Sequence, residues 1–214
     1  MKAVIFDKDG ILVDSEILYD KWLQEYMAEH NIPLPFEVRS GIIGSSSKQN
    51  KEIFAQYLSE YGGAQLWDDF LAAANVDLDY GDIVFPGVKE LIAWLKSEKI
   101  PIGLASAAGL SGIYEEIEQM GLSDAFDMIM SGEQVKVSKP NPEIYLKSCE
   151  KLGVSPSECI AVEDSKHGID AAKNAGLTVI ARRETRLPLD QSRADYIVDD
   201  MFAVKDKIAE LFGV

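Results

Sequence analysis

The chain alternates short apolar segments with longer amphipathic ones. The first apolar run, Lys2 to Phe6, is rich in β-favouring side chains and predicts a buried strand. Similar runs predict strands at residues 100–105, 128–130, 159–162, 179–181 and 196–198. Apolar side chains at helical spacing occupy residues 88–95, 113–120, 143–152, 168–175 and 202–212. Strands that alternate with helices in this way indicate right-handed βαβ units. We therefore predict an α/β, Rossmann-like core whose parallel sheet is covered by helices on both faces.

A different pattern separates the first strand from the second. Helices are predicted at residues 16–31, from Ser45 to Gly62, and at residues 66–74, with no convincing strand between them. Pro33 and Pro35 end the first of these helices. The sequence thus predicts two parts: a core of residues 1–14 and 84–214, and an all-helical insert of residues 15–83.

Two carboxylates follow the first strand, in the run Asp7-Lys8-Asp9-Gly10. Alternation along a strand would point Asp7 and Asp9 the same way and Lys8 elsewhere, while Gly10 lets the chain bend. Two crowded carboxylates repel each other unless a cation bridges them or one holds a proton, and either arrangement is useful in catalysis. On this stretch alone, an ordinary turn explains the four residues equally well.

Three further groups of polar residues stand near the ends of later strands. The run from Ser106 to Gly109 offers a hydroxyl and open backbone N–H groups that could cradle an anion. Lys139 precedes Pro140, which restricts the chain and could hold one ammonium rigidly. Glu163 and Asp164 form a second carboxylate pair. Two such pairs facing one pocket would repel unless an oxygen-binding ion such as Mg²⁺ joined them.

Composition narrows the classes of partner. The chain has 214 residues, 47% of them hydrophobic, which suffices for a sizeable core. Its net charge of −15, from 21 basic and 36 acidic residues, disfavours nucleic acid and anionic membranes as partners. No apolar run approaches the roughly 18 residues of a membrane span, and a strand follows Met1 directly, so we expect a cytoplasmic protein. Cys149 and Cys159 lack metal-site spacing and are expected to be free thiols, so oxygen atoms would have to hold any metal.

Together these residues resemble the haloacid dehalogenase-like hydrolases, in the subgroup with a helical cap inserted after the first strand. The four motifs of that family occur in order, as Asp7-x-Asp9-Gly10, Ser106, Lys139-Pro140 and Glu163-Asp164. Residues 6–16 and 139–145 further resemble the branch that contains β-phosphoglucomutase and small sugar-phosphate phosphatases. The resemblance implies that the insert is a cap and that the substrate is a phosphomonoester.

The resemblance also implies a role for each motif. Asp7 would be the nucleophile that forms an aspartyl-phosphate. Asp9 would be the general acid and base, starting protonated beside an ionised Asp7. The family's magnesium ion would be held by Asp7, the backbone carbonyl of Asp9, Asp164 and Glu163, the last directly or through water. The other phosphoryl oxygens would be held by Ser106, the N–H group of Ala107 and Lys139.

We therefore expect a magnesium-dependent phosphatase that acts on small phosphorylated metabolites, with sugar or polyol phosphates as the predicted substrates and a monomer as the predicted state. A mutase of the β-phosphoglucomutase kind is the main alternative. It would need fixed cations in the cap to hold a second phosphate. The cap departs from that pattern, with Tyr19 where those mutases carry histidine and Ser45 after Gly44 where an arginine is expected. Its basic residues between positions 16 and 84 are Lys21, Arg39, Lys48 and Lys51.

Three other classes are weighed against the phosphatase. A dehalogenase needs no acid at the position of Asp9, because halide leaves without a proton. Phosphonate hydrolysis would need a cap lysine that forms a Schiff base, for which Lys21, Lys48 and Lys51 are the candidates. A binding module of the same fold without turnover would not need the complete set of motifs. His167, close to the second carboxylate pair, is predicted to be a surface residue at the start of a helix.

Overall fold

A computed structural model describes residues 2–74 and 78–214. Its centre is a parallel sheet of six strands, in the order β3-β2-β1-β4-β5-β6. The strands are β1 Ala3–Phe6, β2 Ile102–Ser106, β3 Met128–Ser131, β4 Cys159–Glu163, β5 Thr178–Arg182 and β6 Tyr196–Val198. Side chains of β1 are buried on both faces, as expected for a central parallel strand. Because the chain adds strands on both sides of β1, ligands are expected to bind at the carboxyl ends of β1 and its neighbours.

Nine α-helices accompany the sheet in the described residues. They are α1 Ser15–Glu29, α2 Phe36–Ile42, α3 Ser47–Tyr57, α4 Ala64–Ala73, α5 Val88–Ser97, α6 Leu110–Gln119, α7 Glu143–Leu152, α8 Lys166–Ala175 and α9 Met201–Phe212. One hydrophobic cluster packs α5, α6 and α9 against the sheet, and a second packs α7 and α8 against it. The predicted α/β fold, with helices on both faces of a parallel sheet, is therefore confirmed.

Helices α1 to α4 share a hydrophobic cluster of their own. It is built from apolar residues on all four helices, including Leu23, Val38, Phe54 and Phe70. Val13 pairs with Val84 in an isolated antiparallel bridge, so the segments that lead into and out of these helices run side by side. The exact division at residues 14/15 and 83/84 stays a prediction.

The structure adds one helix to those predicted, α2. From the sequence, the prolines before it predict only the end of a helix. Pro35 instead stands at the N-terminal boundary of α2, where its fixed φ suits a helix start and its missing N–H costs nothing. The buried Val38 then packs into the cluster of the insert. α1 ends at Glu29, two residues before the predicted position, and Asn31 adopts a φ of 56°.

Within residues 2–74 and 78–214, no helix has both the length and the apolar character that crossing a bilayer requires. Cys149 and Cys159 are free, as predicted. Both are buried, with their sulfur atoms 3.4 Å apart.

Candidate active site

The central strands bring the first motif to the edge where β2 and β4 also end. Phe6 is in register with Leu104 of β2 and Val162 of β4. Asp7 follows immediately, and its backbone N–H donates to the carbonyl oxygen of Val162 at 3.0 Å. Residues at the ends of β2 and β4 therefore lie on either side of Asp7.

An acidic cluster occupies this edge. One oxygen from each of Asp7, Glu163 and Asp164 lies within 4.8 Å of the others, and all three residues are buried. Burial, together with the charges of Glu16 and Glu163, raises the pKa of Asp164 well above its usual value. Burial also raises the pKa of Asp7 to about 7, although Lys139 opposes the rise.

The cluster fits an oxygen-binding metal ion. Among the described residues, both carboxylate oxygens of Asp164 are buried without a hydrogen-bond partner. Unpartnered buried carboxylates are costly, and a hard cation with oxygen ligands removes that cost. Gly10 contributes to the close packing here. It adopts a φ of 74°, and a Cβ on it would lie 1.9 Å from Oδ2 of Asp164.

Lys139 lies in the middle of this charge cluster, with 2% of its surface exposed. Its Nζ lies 2.8 Å from Oδ1 of Asp7 and 2.7 Å from Oε1 of Glu163, and it donates to the carbonyl oxygen of Ala105 at 3.1 Å. Burial disfavours the ammonium, but the two carboxylates outweigh burial and raise the pKa of Lys139. The hydroxyl of Tyr145 donates to the same oxygen of Glu163 at 2.5 Å. Lys139 is therefore charged and held beside Asp7.

Asp9 has contacts different from those of Asp7. Its Oδ1 accepts hydrogen bonds from Nζ of Lys8 at 2.8 Å and from the hydroxyl of Ser15 at 2.6 Å. Burial opposes ionisation, but Lys8 and Ser15 outweigh it and lower the pKa of Asp9. The resemblance implies a protonated Asp9 beside an ionised Asp7. In the protein alone the contacts favour the opposite order, because burial and the neighbouring Glu163 raise the pKa of Asp7 in spite of Lys139, whereas Lys8 and Ser15 lower the pKa of Asp9.

The expectation that Lys8 points away from the carboxylates is wrong. Lys8 is 1% exposed and lines the same cavity as Asp9, and its Nζ lies 2.6 Å from Oε2 of Glu116 on α6. The same ammonium is 5.0 Å from the ring centroid of Tyr80. Strand alternation fails here because β1 has already ended. The N–H of Leu12 donates to the carbonyl oxygen of Lys8, which turns the chain at this residue.

The loop after β2 lies next to Asp7 on the other side. Ser106 is buried, and its hydroxyl oxygen accepts from the N–H of Ala108 at 3.2 Å. Ser106, Ala107 and Gly109 line the cavity together with Asp7, and α6 begins directly afterwards at Leu110. The geometry thus places a hydroxyl and a turn of backbone beside the first carboxylate.

A cavity of about 380 Å³ lies between these strand ends and the helical insert. The insert side of its wall is built from aromatic and aliphatic side chains, with hydroxyls, one amide and two acidic residues. It consists of residues 42–44 together with Glu16, Tyr19, Asp20, Ser45, Ser47, Asn50, Trp67, Phe70, Leu71 and Tyr80. Of the described residues that line the cavity, Lys8 alone is basic, and it is paired with two carboxylates.

The basic residues of the insert are directed to other partners. Three of them pair with acids: Lys21 with Glu25 at 3.8 Å, Arg39 with Asp20 at 2.6 Å and Lys51 with Asp68 at 2.8 Å. Lys48 is exposed and does not line the cavity.

The first turn of α3 and the segment before it contact the core near the acidic cluster. The side-chain amide of Gln49 donates to the carbonyl oxygen of Lys139 at 2.6 Å, and the hydroxyls of Ser46 and Ser138 are 3.1 Å apart. His167 belongs to the same contact, with Nδ1 3.3 Å from the carbonyl oxygen of Ile43. The prediction of a surface position for His167 is wrong in this respect, because the insert half-buries it and burial lowers its pKa.

Sequence reasoning missed several polar residues of the site. Glu16 lines the cavity, and burial and the charge of Asp9 raise its pKa to about 8. Glu16 and Tyr145 stand at the ends of the two runs that resemble the family, residues 6–16 and 139–145, and that is the signal that the sequence offers for them. Glu116 lies on a helix with only an amphipathic pattern and reaches the site through folding.

Comparison with known proteins supports one family. The family model described as haloacid dehalogenase-like hydrolase matches residues 4–182. The chain is 31% identical over 179 residues to the phosphorylated carbohydrates phosphatase of Thermotoga maritima, covering 83% of this chain and 82% of that protein. It is also 31% identical over 191 residues to the beta-phosphoglucomutase of Bacillus subtilis, with 84% and 82% covered.

The fold has a counterpart among solved structures. The crystal structure of beta-phosphoglucomutase from Clostridium difficile matches with a TM-score of 0.77 over 100% of both chains, at 24% sequence identity. At that identity the likeness concerns the fold alone. The matched family model covers the strand ends that carry Asp7, Lys139 and Asp164 as well as the insert between them. This chain therefore belongs to the haloacid dehalogenase-like hydrolases.

Proposed function

We propose that this protein is a magnesium-dependent phosphatase that releases phosphate from small phosphomonoesters, above all sugar or polyol phosphates. The observation that carries the proposal is the buried cluster of Asp7, Glu163 and Asp164 around the ammonium of Lys139, at the strand edge that faces the cavity. Phosphoryl transfer needs positioning and charge compensation rather than elaborate covalent chemistry, and this set offers both.

Asp7 and Asp164 are the residues that would hold the magnesium ion, with the backbone carbonyl of Asp9. Glu163 already accepts Lys139 and Tyr145 on Oε1, so its contribution would be the least direct. When bound, the ion would compensate the charge of the phosphoryl oxygens and favour an ionised Asp7.

Asp7 would attack the phosphorus atom as a carboxylate. The bond from phosphorus to the ester oxygen breaks as the bond to Asp7 forms, and the leaving alkoxide takes a proton from Asp9. In the second half-reaction Asp9 takes a proton from water, whose oxygen displaces Asp7 from phosphorus. The lowered pKa of Asp9 suits the second role directly. For the role as general acid, Asp9 must hold a proton, and an incoming phosphate dianion favours this because its negative charge raises the pKa of a neighbouring carboxyl group.

Ser106, the N–H of Ala107 and Lys139 would hold the remaining phosphoryl oxygens. The ammonium already lies beside Asp7, and the loop of Ser106 lines the cavity there. Residues 15–83 would act as the cap that selects the substrate.

The cavity favours a leaving group without a second charge. Its insert wall combines aromatic and aliphatic side chains with hydroxyls and an amide, as suits a hydroxylated organic group. Glu16 and Asp20 line the same wall. Arg39 is already paired with Asp20, and no Lys or Arg of the insert lines the cavity in the described residues. A second phosphate would find no fixed cation there, so hydrolysis is favoured over the mutase reaction.

The test is a panel of sugar, polyol and nucleoside monophosphates, with phosphate release as the readout in the presence of Mg²⁺. Release from several sugar or polyol phosphates, absent in Asp7→Asn, supports the proposal. Failure to hydrolyse any monophosphate would refute it. Following β-glucose 1-phosphate by phosphorus NMR with a bisphosphate primer tests the mutase alternative. Isomerisation that outruns release by about tenfold, 1.4 kcal/mol in barrier height, would establish it instead.

A further inference from the structure

Lys8 stands out as a buried ammonium that the phosphatase chemistry above does not use. It is 1% exposed, yet it follows a strand end whose neighbours are carboxylates. Burying a charge costs several kcal/mol unless good partners compensate it. Lys8 has such partners on two sides, Asp9 at 2.8 Å and Glu116 at 2.6 Å, with the ring of Tyr80 beside them.

The contacts to Asp9 have a definite geometry. Within the described residues, the hydrogen bonds to its side chain come from Lys8 and Ser15, and both end on Oδ1. Two donors on one oxygen fix the rotation of the carboxyl group. They also leave Oδ2 as the oxygen that can carry or receive a proton, because Oδ1 is already occupied as an acceptor.

Glu116 completes the arrangement. It extends from α6, which begins just after the loop of Ser106, and so links the orientation of Lys8 to that side of the cavity. The carboxylate of Glu116 also compensates the charge of Lys8, so the pair adds donors next to Asp9 without adding net charge.

We propose that Lys8, held by Glu116, is a positioning residue for Asp9. It fixes the carboxyl group so that Oδ2 faces the oxygen of the departing alcohol and later that of the attacking water. Lys8 itself touches neither. This inference rests on the proposed phosphatase function and assigns a further residue to it.

The experiment compares leaving groups in Lys8→Met. The ratio kcat/KM reports the steps up to departure of the alcohol, so it isolates proton donation by Asp9 from the later hydrolysis. An alkyl phosphate such as a hexitol phosphate needs that proton, whereas p-nitrophenyl phosphate releases a stable phenolate without it. We expect kcat/KM to fall by about 100-fold with the alkyl ester, in the range ascribed to general acid catalysis. With the aryl ester, kcat/KM should fall by less than about threefold, because departure of the phenolate requires no proton.

Two further variants keep the test decisive. Lys8→Met leaves Glu116 unpaired and could impair folding, so the double variant Lys8→Met/Glu116→Gln removes both charges together and should show the same dependence on leaving group. Lys173→Met, which removes an exposed pair with Asp195, should leave both substrates unaffected.

Equal losses with both esters would overturn the positioning role, because a structural defect or a lost substrate contact has no reason to depend on the leaving group. Unchanged kcat/KM for both would overturn it as well. The alkyl ester is taken from the substrates that the panel identifies. If the wild-type protein hydrolysed no monophosphate at all, the proposed function would fail instead, so the two failures are distinguishable.

Discussion

The side-chain amide of Gln49 donates a hydrogen bond to the backbone carbonyl oxygen of Lys139, at 2.6 Å. Gln49 lies in the first turn of α3, within the insert, and Lys139 carries the ammonium that contacts Asp7. The bond therefore joins the insert, which we propose selects the substrate, to the segment that would hold the phosphoryl group. Together with the contact between Ser46 and Ser138, it links the position of the insert to the backbone of Lys139.

Gln49→Ala is expected to raise KM more than it lowers kcat. A neutral hydrogen bond contributes roughly 0.5–1.5 kcal/mol, so kcat/KM should fall by about two- to tenfold. Steady-state kinetics on the best substrate of the panel measures this. Gln65→Ala is the matched control, because the side-chain amide of Gln65 donates to Asp69 on an exposed helix face, away from the core. An unchanged KM in Gln49→Ala would show that the contact does not help to close the site.

Asp7→Asn is expected to abolish turnover and to preserve the fold. The amide is nearly isosteric but cannot attack phosphorus, so kcat should fall by roughly 10⁴-fold or more. Circular dichroism should show an unchanged spectrum and an unaltered or higher melting temperature, because a buried carboxylate has been removed. Substantial residual turnover would contradict the assignment of Asp7 as nucleophile.

Turnover is expected to stop in excess chelator and to return with Mg²⁺. Calcium should bind but inhibit, since its larger and more flexible coordination sphere would let Asp7 bind through both oxygens. Asp164→Asn should weaken metal binding, measured by calorimetry on the protein without substrate. Asp206→Asn, on the exposed face of α9, is the control and should bind metal normally. Full activity in chelator would contradict the metal site.

The stability of the metal-free protein should fall as pH rises from about 4 to about 7. The folded-state pKa of Asp7 is raised from 3.8 to about 7, so over this window the native state holds a proton that the unfolded chain has lost. The contribution of Asp7 to the free energy of unfolding is fully present below the pKa of the unfolded state. It is lost as the pH rises through the pKa of the folded state, with a slope of up to about 1.4 kcal/mol per pH unit for one proton. Urea unfolding at several pH values measures it. Glu16 and Asp164 also have raised pKa values and act in the same direction. Asp7→Asn should therefore reduce the slope without removing it, and an unchanged slope would contradict the assignment to Asp7.

A cation introduced into the insert wall should make the site accept a second phosphate. Leu71 lines the cavity and is 37% exposed, so Leu71→Arg can be accommodated without burying its charge. Sugar bisphosphates should then inhibit about tenfold more strongly, and added salt should reduce the gain. Leu146→Arg, with 43% exposure on α7, provides the control. Equal inhibition in both variants would show that the position in the cavity is irrelevant.

Local patterns were sufficient for most of the fold and for part of the site. Strand β1 is buried on both faces, and a strand of this kind needs consecutive apolar residues, which are visible in the sequence. Because parallel strands end at one edge, polar residues after separate strands could be predicted to meet there. Asp7, Glu163 and Asp164 do meet, and Lys139 reaches them. The sequence does not predict helix α2, because α2 is short and the proline at its start also indicates the end of the preceding helix.

Only the tertiary structure decided the contacts between distant side chains. Nothing in the run Asp7-Lys8-Asp9 indicates that Lys8 turns into the cavity, because its partner Glu116 comes from a helix far along the chain. Likewise, the sequence shows Arg39 only as one of the few basic residues of the insert, and the fold determines that it pairs with Asp20. Sequence patterns record which face of an element must be buried. The packing of the elements against one another then decides which charges compensate each other. In this protein it places Lys8 beside Asp9. It also leaves Lys8 as the one basic side chain among the described residues that line the cavity.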